Sequence, residues 1–219
     1  MPLPTTDMPG HAGLHERVTN ALGSAVETPE VEFKESLPWE ELKLKLVKAV
    51  LGIGNLRDGG LLIVGIAGRD LEWSFDGCPP ELLAAYDQDL ADDALRTYVS
   101  GQPKATVVLH TPDGGPAFGA TFVIFDIEGF RTTPLVCRKN GPDEDTNGLR
   151  NGSVYFRPRE GRVRTEAVSR SEDMQEMLEV AAEKGTRRQL ALIGRLGLLP
   201  ATPAEPTDAE AYDEELGDL

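Results

Sequence analysis

The chain of 219 residues is 40% hydrophobic and carries a formal charge of −15. Such a length and composition predict one globular domain with appendages, and the acidic balance argues against a surface that binds nucleic acid throughout. No apolar run approaches the ~20 residues of a membrane-spanning helix, and with two cysteines and no signal-peptide pattern we expect a cytoplasmic protein with reduced thiols.

The first predicted elements are a loose arm, a strand and a helix. Residues 1–20 are rich in Pro, Gly and Thr and show no sustained period, which is typical of a flexible arm. In residues 30–34, Val31 and Phe33 alternate with charged side chains, which is the period of a half-buried strand. The helix that follows has an apolar stripe at three- and four-residue steps, formed by Leu42, Leu46, Ala49, Val50 and Ile53.

A glycine turn and a series of short elements come next. Asp58, Gly59 and Gly60 form the turn, because glycine adopts positive φ without steric cost. Residues 61–64 are a continuous apolar run, typical of a strand that is covered on both faces. Further predicted elements are a helix at 80–99 and strands at 105–110, 120–127, 133–137 and 153–156.

The C-terminal part is predicted to be helical and then acidic. Residues 165–184 and 187–199 have helical patterns, whereas residues 200–219 combine Pro, Ala and acids, which favours a disordered tail. One hypothesis places an oligomer contact or a docking site for a protein partner in residues 165–199. It is motivated by the apolar side chains Met174, Met177, Leu178, Leu190, Leu192, Ile193 and Leu196.

Acidic side chains gather around the first strand and the loop after the buried strand. They are Glu27, Glu30, Glu32, Glu35, Asp70 and Asp76. Mg²⁺ and Mn²⁺ prefer oxygen ligands of this kind, and a bound cation polarises a phosphodiester. The alternative is that these acids form a solvated face. The nearby glycines match neither GxxxxGK[ST] nor GxGxxG, so no ATP site is predicted.

A basic segment, GLRNGSVYFRPREGRVR, covers residues 148–164. Its arginines flank two aromatic residues, and guanidinium groups pair with phosphates while aromatic faces stack on bases. The nucleic-acid-binding candidates are Arg150, Tyr155, Arg157, Arg159, Arg162 and Arg164, together with Lys34 on the first strand. The alternative is that the aromatic rings belong to the core and the arginines pair with an acidic helix at 81–93.

These motifs resemble a known family when they are taken in order. EVEFKES, a helix ending in Asn, a Gly-Gly turn, LLIVGI and GSVYFRPREGRVRTEA are similar to the Schlafen-type AlbA domain over residues 27–170. The resemblance implies an α+β fold, with a mixed, mainly antiparallel sheet and flanking helices, and an association with RNA or DNA. The predicted organisation is an arm (1–20), this domain (21–170), a C-terminal helical extension (171–199) and the acidic tail (200–219).

Some members of that family are metal-dependent endoribonucleases, in which two glutamates and one aspartate hold the metal. By position, the resemblance implies Glu27 and Glu32 as the glutamates. Asp70 is the nearest candidate for the third acid, because Ala67 and Gly68 occupy the family's acidic positions. We therefore predict a nucleic-acid-binding protein, regulatory or belonging to prokaryotic defence. The alternatives are a Mg²⁺- or Mn²⁺-dependent nuclease that cleaves tRNA or rRNA, and an oligomeric interaction subunit.

Overall fold

The structure is a computed structural model, and it describes residues 3–8, 11–69, 72–142, 148–159 and 163–196. The helices in these residues are α1 (Ala12–Ser24), α2 (Trp39–Ile53), α3 (Pro80–Leu83), α4 (Gln88–Tyr98) and α5 (Ser171–Arg195). The strands are β1 (Val31–Lys34), β2 (Gly60–Val64), β3 (Ala67–Arg69), β4 (Glu72–Ser74), β5 (Val99–Ser100), β6 (Ala105–His110), β7 (Phe122–Ile127), β8 (Val136–Cys137), β9 (Tyr155–Phe156) and β10 (Glu166–Ala167). None of the described helices is long and apolar enough to cross a membrane.

The central sheet has the strand order β1-β2-β7-β6. β1 runs parallel to β2, with Val31 opposite Leu61, whereas the β2–β7 and β7–β6 pairs are antiparallel. Smaller antiparallel pairs accompany it, namely β3–β4, β5–β8 and β9–β10. The prediction of an α+β fold with a mixed, mainly antiparallel sheet and flanking helices is confirmed.

Helices cover both faces of this sheet. Leu62 and Val64 of β2 lie in one core cluster with residues of α2 and α4, whereas Ile63 lies in a second cluster with residues of α1. Successive side chains of a strand point to opposite faces, so a strand between two helical layers is apolar at every position. All five residues of β2 are buried, which explains its continuous apolar sequence.

α2 is enclosed on most of its circumference. The apolar positions of its predicted stripe are buried, and so are Leu44, Val47 and Leu51. Glu40 and Glu41 occupy the first turn, where carboxylates stabilise the positive end of the helix dipole. The helix therefore packs behind β2 on its face of the sheet.

The prediction of a flexible arm in residues 1–20 does not hold for residues 12–20, because they belong to α1. Leu14, Val18, Ala21 and Leu22 of this helix are buried against the sheet. Their spacing of four, three and one residues is helical, but the glycines and prolines around it obscured the period in the sequence. Residues 3–8 are also tied to the fold, through backbone hydrogen bonds to β6.

One continuous helix, α5, replaces the two helices predicted at 165–184 and 187–199. Residues 166–167 belong to β10, so the helix begins only at Ser171. The last predicted helical residues, 197–199, and the predicted acidic tail, 200–219, lie outside the described residues.

The chain divides into two compact units, Met1–Ala182 and Glu183–Leu219, and the boundary falls inside α5. In the first unit, Met177 and Val180 of this helix are buried. In the second, Leu190 is half exposed. The first half of α5 is thus part of the core of its unit, whereas the predicted contact with a protein partner stays a prediction.

Candidate functional site

The candidate site lies at the outer edge of β1. This strand is the last of the sheet, so the backbone groups of Val31 and Phe33 point away from β2. An open strand edge is a template for pairing with another chain, and proteins usually block it. The residues that block it here are largely those that the sequence singled out as functional.

Glu27 and Lys34 bond to the outward backbone groups of Phe33. The Phe33 N–H donates to Glu27 Oε1 at 2.9 Å, and Lys34 Nζ donates to the Phe33 carbonyl at 3.3 Å. The N–H and carbonyl of Val31 pair with the backbone of Thr28, each at 3.1 Å. The edge is therefore closed by a local turn and two charged side chains.

Arg157 connects the basic segment to this edge. It is 2% exposed, its Nη1 donates to Glu32 Oε2 at 2.6 Å, and its Nη2 donates to the carbonyls of Thr28 at 3.0 Å and Val31 at 3.4 Å. A guanidinium fork that pairs with a carboxylate and two carbonyls is a cross-link. Arg157 thus holds the basic segment against β1 and does not present its guanidinium to solvent.

Glu32 is shared by more than one cation. Its Oε1 lies 2.6 Å from Lys34 Nζ, while its Oε2 is occupied by Arg157. The ammonium of Lys48, on α2, also interacts electrostatically with this carboxylate. One carboxylate therefore faces three cations, namely Lys34, Lys48 and Arg157.

Lys48 is the residue that sequence reasoning missed. Lys48 lies off the apolar stripe of α2, yet its side chain is half-buried in an otherwise enclosed part of the helix. Burial lowers the pKa of Lys48, and the like charges of Lys34 and Arg164 lower it further, while Glu32 and Glu166 oppose this. The sequence signal that could have found Lys48 is its position between two apolar residues, Val47 and Ala49.

The aromatic residues of the basic segment belong to the core, as the alternative interpretation held, but Arg157, Arg159 and Arg164 pair with Glu30, Glu32, Glu166 and Glu176 instead of the helix at 81–93. Tyr155 and Phe156 are each 2% exposed, so neither ring presents a face for base stacking. The Tyr155 hydroxyl donates to the Gly148 carbonyl and accepts from the Arg150 N–H at 2.8 Å. Burial raises the pKa of Tyr155. The proposed stacking role of Tyr155 is therefore not supported by its position.

The other arginines of the segment differ in their surroundings. The side chain of Arg159 is 59% exposed. Its Nε lies 3.3 Å from Glu176 Oε1, and its Nη2 lies 3.7 Å from Glu30 Oε1. Arg164 is also exposed and forms an ion pair with Glu166. The remaining two candidates are Arg150, which is exposed, and Arg162, which lies outside the described residues.

The predicted carboxylate triad is described only in part. Glu27 and Glu32 both lie at β1. Glu27 accepts from the Phe33 N–H, and Glu32 directly precedes Phe33 in the strand. The third acid, Asp70, lies outside the described residues. Among the residues that are described, no three His, Cys, Asp or Glu side chains are grouped as metal ligands. The Mg²⁺ or Mn²⁺ site, which needs Asp70, stays a prediction.

Comparisons with known proteins do not assign the chain to a family. No family model matches it, and no curated protein matches it. It is similar to the crystal structure of the DIP2311 protein from Corynebacterium diphtheriae, with 19% identity and a TM-score of 0.45 over 77% of this chain and 29% of that one. It is also similar to the solution structure of the N-terminal domain of an ATP-dependent DNA helicase RecG-related protein from Nitrosomonas europaea, with 17% identity and a TM-score of 0.40 over 72% and 95% of the chains. At these TM-scores neither likeness supports a conclusion about function.

Proposed function

We propose that this chain is a nucleic-acid-binding protein of the Schlafen-type AlbA kind, which contacts phosphates through a basic cluster at the edge of β1. We define this basic cluster as Lys34, Lys48 and Arg164, which lie around the buried ion pair of Arg157 with Glu32. The observation that carries the proposal is their convergence: side chains from β1, from α2 and from the basic segment gather around Glu32 and Glu166.

The cluster has more positive than negative charge. Glu32 accepts contacts from Lys34 and Arg157, and Glu166 is paired with Arg164. Lys48 has no ion-pair partner within the described part of the chain. Phosphate groups of a nucleic acid pair with lysine and arginine side chains of this kind. On a chain with a net charge of −15, such a cluster also orients the ligand, because the acidic remainder repels it.

The test is the binding of fluorescein-labelled 20-nucleotide single-stranded RNA, single-stranded DNA and duplex DNA, followed by anisotropy between 50 and 200 mM salt. We expect binding that weakens as salt rises, because phosphate contacts release counterions. Arg164→Glu is expected to weaken it by about tenfold at the lower salt, since it reverses one of the few local cations. Arg96→Glu is the matched control, because Arg96 is an exposed arginine paired with Asp93 on α4. Absence of salt-dependent binding to all three probes would refute the proposal.

A metal-dependent endoribonuclease is a second candidate, supported by the position of Glu27 and Glu32 around one strand edge. Both oxygens of Glu32 are engaged by cations, so a metal ion would have to displace Lys34 or Arg157. The test is incubation of tRNA with Mn²⁺ and either the wild type or Glu32→Gln. Cleavage that disappears in Glu32→Gln, while tRNA binding persists, supports this candidate. A wild type that binds tRNA without cleaving it removes the candidate.

A further inference from the structure

The N-terminal residues 3–8, which we call the strap, cross the outer edge of β6. Leu3 packs against the core cluster that contains residues of α2 and α4. The Leu109 N–H donates to the Pro4 carbonyl at 2.8 Å, and the Thr6 N–H donates to the Leu109 carbonyl at 2.9 Å. Thr6 itself is buried, and its hydroxyl lies on the face of the sheet that α1 covers. The strap thus connects the two faces of the sheet at this edge.

Two histidines fasten the strap on the α1 face. Thr6 Oγ1 lies 2.8 Å from Nδ1 of His110, on β6, and 3.4 Å from Nδ1 of His15, on α1. The two imidazole rings are edge-on, and their centroids are 5.2 Å apart. His110 is 2% exposed, and its Nε2 has no hydrogen-bond partner within the described residues. One buried hydroxyl therefore joins the strap to a strand and a helix beside two titratable rings.

The surroundings of the two rings differ in how well they accommodate a proton. Asp7, in the strap, has its Oδ1 3.0 Å from His15 Nδ1, so a protonated His15 has a carboxylate beside it. His110 has Phe122 opposite it on β7 and Asp113 in the loop that follows β6. A protonated imidazole donates from both nitrogens, and a buried donor without an acceptor at Nε2 is costly. Burial accordingly lowers the pKa of His110, and His15 adds to this, while Asp7 and Asp113 oppose it.

We propose that the strap is a pH-sensitive clasp, which is closed over β6 while His110 is neutral and opens locally when His110 takes up a proton. Opening separates Thr6 from the histidines, gives water access to both nitrogens of His110 and frees the backbone groups of Leu109. The clasp opens as the pH falls, because a closed state that disfavours the proton is stabilised above the ordinary histidine pKa of about 6.5 and loses that stabilisation below it. This inference concerns β6 and does not depend on the proposed function, which concerns β1.

The first test is amide hydrogen exchange at pH 7.5 and 5.5, with each rate divided by the intrinsic rate at that pH. The amides of Thr6 and Leu109 report the clasp, whereas the Phe130 amide, which donates to the Gly54 carbonyl at 2.7 Å, reports the rest of the fold. Uptake of one proton with an ordinary pKa of about 6.5 is expected to increase opening of the clasp about tenfold between these pH values. A local opening exposes little surface, so low concentrations of urea are expected to speed exchange at Phe130 much more than at Thr6. Exchange at Thr6 that ignores pH, or that follows exchange at Phe130 throughout, overturns the proposal.

The second test compares His110→Asn with His11→Asn under the same conditions. His11 is the matched control, because it lies next to α1 and its side chain makes no capping hydrogen bond. The increase in opening between pH 7.5 and 5.5 is expected to disappear in His110→Asn and to persist in His11→Asn. An increase that persists in His110→Asn refutes the clasp.

A third comparison leaves both histidines in place, so it does not require His110→Asn to fold. Thr6→Val removes the hydroxyl that contacts the two rings and nearly keeps the volume of the side chain. We expect the Leu109 amide to open about fivefold more often at pH 7.5 in this variant, the effect of one net hydrogen bond. Thr5→Val, on the same strap, is the matched control and is expected to change opening less. Equal opening in the two variants overturns the fastening of the strap by Thr6 and with it the clasp.

Discussion

The two edges of the central sheet are closed by different chemistry. At β1 the outward backbone groups bond to Glu27, Lys34 and Arg157, all of them charged. At β6 the side-chain amide of Gln88 accepts from the Val107 N–H at 2.8 Å and donates to the Ala105 carbonyl at 2.9 Å. Backbone hydrogen bonds from residues 4–6 complete the closure of β6.

This difference shows that protecting an edge does not require charge in this fold. A neutral amide and a short segment suffice at β6, and each of them satisfies backbone groups without an ion pair. At β1 the same task is done by charged groups that also surround Glu32 with cations. Edge protection explains hydrogen bonds at β1, but it does not explain Lys48 or Arg164. The cations around Glu32 are what distinguish the β1 edge as a candidate for binding.

The largest expected effect comes from breaking the ion pair at the β1 edge. Glu32→Ala leaves Arg157, which is 2% exposed, without its carboxylate. Removing one partner of a buried ion pair costs about 3–5 kcal/mol. Urea unfolding is expected to show a loss of stability in this range.

The matched control for this variant is Lys104→Ala, which breaks the exposed ion pair between Lys104 and Glu128. Exposed pairs contribute about 1 kcal/mol or less, so the control is expected to stay close to the wild type. Equal losses in the two variants would show that Arg157 does not depend on Glu32, and the charged edge would then be no stronger than a surface contact.

The second largest effect is expected from Asn55, which joins β9 to the segment that precedes β8. This fully buried side chain donates to the carbonyls of Leu135 at 3.0 Å and Tyr155 at 2.8 Å, and it accepts from the Leu135 N–H at 2.7 Å. Asn55→Ala leaves buried backbone groups without partners, each at a cost of about 1–3 kcal/mol. We expect a total loss of about 3 kcal/mol in urea unfolding.

The control for Asn55→Ala is Asn140→Ala, because Asn140 is exposed and also accepts a backbone N–H, from Asn151 at 2.7 Å. Water replaces such a bond, so a change of about 1 kcal/mol or less is expected. If the loss of stability for Asn55→Ala is as small as that for Asn140→Ala, β9 is held in place by other contacts.

The sequence predicted the sheet better than it predicted the site, for physical reasons. β2 and the stripe of α2 follow from local periodicity, and both are buried as expected. The ion pair between Glu32 and Arg157 joins residues 125 positions apart, and no local pattern reports such a contact. The basic segment was recognised as arginine-rich, but composition does not show which guanidinium is enclosed.

In the N-terminal region, by contrast, the local pattern of a helix is present but was not recognised. The helical spacing of Leu14, Val18 and Leu22 was present in the sequence. The compositional signal of the flanking glycines and prolines outweighs it, so the sequence predicts a flexible arm in residues 1–20. The surroundings of Lys48 also depend on residues that are distant in sequence, namely Gly148 and Lys34.

A smaller effect is expected at the neutral edge. Gln88→Ala removes the two hydrogen bonds between the amide and β6. A net hydrogen bond contributes about 1 kcal/mol, and groups at a sheet edge regain water when the amide is lost. We expect a loss of about 1 kcal/mol in urea unfolding, below the loss for Glu32→Ala. A Gln88→Ala variant as unstable as Glu32→Ala would contradict the comparison of the two edges.

The smallest expected effect is a pH dependence of the segment that closes β6. Thr6 Oγ1 and His110 Nδ1 are 2.8 Å apart, and the ring of His15 lies 5.2 Å from that of His110 in an edge-on arrangement. Burial lowers the pKa of His110, and His15 adds to this, while Asp7 and Asp113 oppose it. The folded protein therefore holds His110 neutral at a pH where the unfolded chain binds a proton.

The sign of the pH effect follows from this difference. The stability that His110 contributes is complete above its unfolded pKa of about 6.5 and is lost as the pH falls from there through the lowered folded value. We expect the difference in unfolding free energy between wild type and His110→Asn to shrink between pH 7.5 and 5.5, since the variant lacks the titrating group. Hydrogen exchange of the Leu109 amide, which donates to the Pro4 carbonyl, is expected to accelerate over the same range in the wild type only. Equal acceleration in both proteins would show that His110 is not the source of the pH dependence.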